Sequence, residues 1–166
     1  PPVKSRSRRN ADPATAKSGP RLSLAEIETA LSELKGLPRS RIWERVNELV
    51  QNLDPADIPH VMNLLPRLRL DAQNSLRFGL LPRWAEHDPR AAMEFASAMK
   101  NQSERHQAIL AVLRGWAKND AAGAAAWIQE LPPGRLKNEA PGAIAGMLAE
   151  QDPEAALALM KDVKKS

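Results

Sequence analysis

LRFGLLPRWAEHDPRAAMEFASAM, residues 76–99, is followed by two stretches that align with it without gaps at a spacing of 32: AILAVLRGWAKNDAAGAAAWIQEL over 108–131 and APGAIAGMLAEQDPEAALALMKDV over 140–163. A fourth copy, IWERVNELVQNLDPADIPHVMNLL over 42–65, joins at a spacing of 34. Self-similarity at such a period is the signature of an array of supersecondary units, and it decides the fold. An acid stands at one fixed point of every copy, at Asp54, Asp88, Asp120 and Asp152, and in three copies Pro55, Pro89 or Pro153 follows it. Asp-Pro is helix-start chemistry. The carboxylate accepts from an orphaned backbone N–H, and proline at the first helical position loses nothing because its N–H would go unpaired there.

Each unit is therefore a helix A, a tight turn at the Asp, and a helix B. The apolar columns agree: Val46, Leu80, Val112 and Ile144 lie one turn before Val50, Trp84, Trp116 and Leu148 on helix A. On helix B the column Val61, Phe95, Trp127 and Leu159 is followed four residues later by Leu65, Met99, Leu131 and Val163. A step of four keeps residues on one helical face, where a strand would alternate. A half unit precedes the first copy, with Ile27 and Leu31 in the helix B columns and Ser23–Glu26 reading as a capping box. The pattern predicts helices near 23–35, 39–52, 56–65, 71–86, 89–99, 103–118, 121–131, 135–150 and 153–163.

Three prolines disturb this scheme. Pro82 falls inside a helix A and predicts a kink or a late start. Pro141 suggests a helix that begins only there, capped by Asn138 or Glu139. Pro59 moves the helix after Asp54 toward Asp57. Small residues also share a column at Gly79, Ala111 and Ala143, with Arg45 the exception. Small side chains let backbones approach, which is how successive hairpins stack. The expected fold is all-α, a right-handed α-α superhelix (solenoid) of about four and a half helix-hairpin repeats of 32–34 residues. A closed helical bundle is the alternative.

These hairpins, with Trp-Ala late in helix A (Trp84-Ala85, Trp116-Ala117) and an Ala-rich helix B, resemble the tetratricopeptide-type and HEAT-type α-α superhelices. The resemblance covers residues 22–166 and is one of period and architecture. The tetratricopeptide pattern places its Trp-Leu-Gly cluster early in helix A, whereas Trp84 and Trp116 lie late. The unit looks more like the divergent Trp-Ala-x-x-Asp-Pro-x-Ala-Ala repeats of bacterial proteins. The resemblance implies a binding scaffold for proteins or peptides and carries over no functional residues.

Charge divides the chain of 166 residues. Residues 1–21 hold six basic side chains against Asp12 alone, while residues 22–166 hold 18 basic and 19 acidic ones. Residues 1–21 read as a basic disordered tail or linker, because they carry too little apolar surface to offset their ordering entropy, and residues 22–166 as the helical repeat domain. No apolar run reaches the length of a membrane span. The chain begins PPVKSRSRRN, without an initiator Met, which suggests a processed N-terminus. With no cysteine there is no disulfide or thiolate chemistry to choose between cytoplasm and periplasm.

The residues of catalysis and cofactor binding are scattered. His60, His87 and His106 have no second His or carboxylate three or four residues on, and the glycines form no phosphate-cradling loop. Neither a catalytic centre, a metal site nor a cofactor is expected. The surface offers more. Trp43 shares its column with Arg77, Ile109 and Pro141 and so borders the core, and Arg41, Arg45, Arg67, Arg69 and Arg77 make the first half locally basic. Together these six are the candidate partner-binding residues. The leading expectation is a non-catalytic scaffold or adaptor for a protein or peptide partner, and the alternative is a nucleic-acid-binding repeat protein using the basic N-terminal residues and this Arg-rich half. The apolar Leu157, Leu159, Met160 and Val163 of the last helix predict further repeats or self-association through the C-terminal repeat.

Overall fold

The computed structural model describes residues 22–163, and the expected basic tail at 1–21 lies outside them. Among the described residues the protein is all helical. In order the α-helices are α1 (Leu24–Glu33), α2 (Arg39–Asn52), α3 (Ile58–Leu64), α4 (Leu70–His87), α5 (Pro89–Ser97), α6 (Gln102–Asn119), α7 (Ala121–Glu130), α8 (Arg135–Gln151) and α9 (Pro153–Val163). Short 3-10 turns at Pro55–Asp57 and Leu65–Arg67 flank α3. Pro59 has the effect expected of it, since the regular helix after Asp54 begins at Ile58.

The helix starts are built as their chemistry dictates. Ser23 and Glu26 form a reciprocal capping box. Asp88 accepts from the Ala91 N–H at 3.0 Å, Asp120 from Gly123 at 2.8 Å and Asp152 from Ala155 at 3.0 Å. Asp54 accepts from Ala56 at 2.9 Å and opens the 3-10 turn. Replacing Asp88 with alanine is expected to cost about 1 kcal/mol through the orphaned donor at the start of α5. Urea unfolding would reveal it as a lower midpoint with unchanged slope.

Two proline expectations are corrected. α8 does not wait for Pro141: it begins at Arg135, directly after Gly134, and runs through the proline. Its first turns are held from outside by Lys137 Nζ donating to the Gln129 and Leu131 carbonyls at 2.7 Å each, and within the helix by the Arg135–Glu139 pair at 2.7 Å. For Pro82 only the late start is overturned: α4 starts at Leu70 and continues past the proline to His87.

The helices pack neighbour to neighbour. Each helix A lies on the next, in the order α2, α4, α6, α8; α5, α7 and α9 contact their own helix A, and α3, α5 and α7 contact the helix A that follows. One continuous apolar core runs from Ile27 to Leu159. Val46, Leu80, Val112 and Ile144 are all buried in it, as the column predicts. Of the tryptophans expected inside, Trp84 is buried, while Trp116 and Trp127 are half-buried against the core. The small-residue column lies between helices A: a Cβ on Gly79 would come within 3.0 Å of the Val50 side chain of α2. Arg45 is the exception because α2 has no helix A before it, and its guanidinium turns instead to Glu33 of α1.

Candidate functional site

Burial of Ile42, Val46, Leu49 and Val50 fixes the face α2 turns inward, and this leaves Trp43 outward, 66% exposed. The first turns of α2 and α4 are pinned side by side. Asp71 takes Arg69 at 2.9 Å and Arg39 at 3.5 Å, and Arg69 also donates to the Leu37 carbonyl at 3.3 Å. Trp43 stands one turn above Arg39. Leu70, 73% exposed, directly precedes Asp71. The clamp thus joins the first turns of two adjacent helices that each carry a large, mostly exposed apolar side chain among the described residues.

The arginines chosen with Trp43 do not form one patch. Arg45 bonds Glu48 at 2.7 Å and Glu33 at 2.8 Å, and these two carboxylates hold its pKa above the ordinary arginine value. Arg77, largely buried, reaches Glu104 at the start of α6 at 3.1 Å and Asn74 at 3.3 Å. Arg69 belongs to the clamp. Arg67 is exposed beside a shallow depression between α1 and α3 that Lys35 and Glu28 also line. Arg41 is exposed too, but a two-residue offset from Trp43 puts it on another side of α2.

Sequence reasoning missed a set of bonds spaced by one repeat. The last carbonyls of a helix have no intrahelical partner. Here the following helix A supplies donors: Arg83 to the Val50 carbonyl, Asn119 to Glu86 at 2.7 Å, and Gln151 to Ala117 at 3.2 Å. Asn119 and Gln151 occupy the same repeat position, and Lys118 adds an ion pair to Glu86. The alignment contained this polar column, but apart from the capping aspartates only apolar columns were read as structural.

A second missed pair lies between α6 and α8. His106 Nε2 is 2.7 Å from Glu139 Oε2, and Arg135 Nε is 2.7 Å from the other oxygen. The carboxylate sits 33 residues from the histidine, one repeat on, so a search along one helix could not find it. Bonding first to Arg135 and then to His106 holds the Glu139 carboxyl below its ordinary value. The network borders an open cleft of about 460 Å³ that Ile109, Leu131 and Leu136 also line. A carboxyl with a depressed folded-state pKa contributes stability above its unfolded pKa and loses it as pH falls through the folded one. Glu139→Gln should therefore lower the urea midpoint at neutral pH, and the difference from wild type should vanish below the ordinary carboxylate range.

No known protein family, curated protein or solved structure matches this chain. What its surface can bind must be argued from the surface itself.

Proposed function

We propose that the protein is a non-catalytic scaffold or adaptor, a right-handed α-α superhelix of stacked hairpins that holds out a rigid surface to a protein or peptide partner. The superhelix reading rests on the 32–34-residue period and the neighbour-to-neighbour packing, with carbonyl-capping bonds that repeat at the same stride. The binding reading rests on one observation: Trp43 and Leu70 stand 66% and 73% exposed on helix ends pinned by the Arg39–Asp71–Arg69 clamp. An exposed tryptophan on a rigid support is the common anchor of protein interfaces, because it buries a large area on binding at small entropic cost.

Affinity capture from lysate of the source organism, with and without nuclease treatment, comparing wild type with Trp43→Ala and Leu70→Ser, tests the reading. Captured protein should fall at least about 30-fold for Trp43→Ala, the ratio that matches an anchor worth about 2 kcal/mol. Equal capture by wild type and variants would overturn it. If capture instead vanishes on nuclease treatment, and binding to DNA or RNA falls steeply with salt, the protein is a nucleic-acid binder that uses its basic N-terminal residues.

A further inference from the structure

Trp43 and Leu70 stand in a basic setting. Residues 34–43 and 65–71, the two connections with the first turns that carry these anchors, hold Lys35, Arg39, Arg41, Arg67 and Arg69 against Asp71 alone. The clamp itself is unbalanced, because Asp71 serves two guanidiniums, and Arg39, 3.5 Å away, has its side chain 85% exposed. Lys35 and Arg67 are exposed, and their side chains have no carboxylate or carbonyl partner among the described residues. Both line the shallow depression of about 120 Å³ that Leu31, Leu64, Leu68, Ser32 and Glu28 also line. Of the acids just outside these segments, Glu33 bonds Arg45, Glu28 faces His60 at 3.7 Å, and Glu44 lies about 100° round α2 from Trp43. The same sign follows this edge of the stack. Helices A run alike, their starts joined by Arg39–Asp71 and their ends by Asn119 and the Glu86 carbonyl, so the connections between units share one edge and the turns at the capping aspartates the other. The connections 34–38, 65–69, 98–101 and 131–134 hold Lys35, Arg67, Arg69 and Lys100 and no acid, while the turns hold Asp54, Asp88, Asp120 and Asp152 and no base.

We infer that the partner presents an acidic segment to this edge, its carboxylates meeting Lys35, Arg39 and Arg67 while an apolar side chain within it covers Trp43 or Leu70. The inference rests on the scaffold reading and adds the partner's chemistry to it. Charge complementarity selects the occupant. Helix dipoles account for cations at the ends of helices B in general, and Arg69 is engaged by the Leu37 carbonyl, but Lys35 and Arg67 keep their charge for whatever approaches. The aspartates of the opposite edge repel an acidic chain, so it is steered to one side of the stack. A nucleic acid would satisfy the cations, yet it offers no aliphatic side chain to Leu70 or to the leucines of the depression, whereas an acidic peptide with a leucine or phenylalanine in it meets both demands.

Fluorescence anisotropy with the whole chain tests the inference, the N-terminal basic residues being present in every variant. The probe is a short labelled peptide with two leucines set among glutamates, compared with the same peptide carrying glutamine for each glutamate. The glutamate peptide should bind at least about tenfold tighter at low salt and lose that margin as salt screens the charges. Lys35→Glu/Arg67→Glu should weaken its binding at least about tenfold, at an unchanged melting temperature because both side chains are exposed. Should reversal unsettle the fold, Lys35→Gln/Arg67→Gln adds no charge and should still weaken binding, though by less. Glu150→Lys/Glu154→Lys at the opposite edge makes a charge change of the same size and should move the affinity far less, which separates a local site from net charge. Equal binding of the two peptides, no loss in the Lys35 and Arg67 variants, or an oligonucleotide of equal charge that displaces the peptide would each overturn the inference. If the two peptides bind alike while Trp43→Ala still abolishes capture of protein from lysate, the scaffold reading stands and the acidic partner falls.

Discussion

Trp84→Ala is expected to cost about 3–5 kcal/mol, the range for deleting a large buried aromatic whose site cannot fully collapse. Trp84 is 7% exposed near the end of α4, and its ring meets Phe95 of α5 with centroids 5.7 Å apart and planes tilted by 55°. That tilted contact ties helix A to helix B inside one hairpin and adds to the area term. Against a total stability of about 5–15 kcal/mol for a domain of ordinary size, the loss would remove a large share. Trp116 holds the same column but is half-buried, with its indole N–H turned to Asp120 Oδ2 at 3.2 Å. Trp116→Ala should therefore cost less. Urea unfolding of the two variants side by side gives the order; a larger loss for Trp116, or a loss below about 1 kcal/mol for Trp84, would mean the column is misread.

The helices themselves were legible because their signals are local. Asp88, Asp120 and Asp152 cap the helices predicted at them, and the step of four from Val46 to Val50, Leu80 to Trp84 and Ile144 to Leu148 finds the buried face. The ranges 71–86 and 135–150 are met within one residue, and the late starts considered at Pro82 and Pro141 do not occur, for a non-local reason. A proline costs a helix one bond, and the cost is met when other elements hold the turns around it, as the Gln129 and Leu131 carbonyls do through Lys137 at the head of α8. No property of residues 135–141 read alone reveals the Gln129 and Leu131 carbonyls that wait for Lys137.

The surface was less legible than the core. Composition counts the arginines of the first half as free charge, yet Arg45, Arg69 and Arg77 each have a carboxylate within 3.1 Å and Arg83 caps a carbonyl of α2. Asp71 and Glu48 lie within three residues of their arginines, but Glu33, Glu104 and the Val50 carbonyl belong to other helices, and a charge count is blind to these. Trp43 departs from its own column: Ile109 and Pro141 are buried and Arg77 is largely so, whereas Trp43 is exposed. One rule recovers much of what was missed, namely that in a stacked array the partner of a polar side chain is to be sought about 30–34 residues away before it is sought at three or four. His106 with Glu139, Asn119 with Glu86 and Gln151 with Ala117 all obey it.

The tightest point of the stack yields the second large effect, and it concerns a residue with no side chain. A Cβ added to Gly115 would lie 2.0 Å from the Pro82 carbonyl oxygen and 2.6 Å from the Pro82 carbonyl carbon and Cα. These are backbone atoms of α4, so α6 as a whole must retreat. Overpacking of this kind costs about 3 kcal/mol or more, while the gain in helix propensity from glycine to alanine returns only about 1. Gly115→Ala should therefore destabilise by about 2 kcal/mol, and Gly115→Val by more. Gly146→Ala supplies the opposite sign. Gly146 is exposed in the middle of α8 with open space where its Cβ would go, so the same substitution should stabilise by up to about 1 kcal/mol when measured at low concentration. Retreat of α6 has a further consequence. Lys118 and Asn119 reach Glu86 only across the close approach that Gly115 permits, and Gly115→Ala should free both groups and the Glu86 carbonyl together. Hydrogen exchange at the end of α4 would then quicken along with the loss of stability, whereas in Gly146→Ala it should stay as in wild type. Equal and small effects of the two alanine substitutions would mean that the separation of α4 and α6 is set elsewhere.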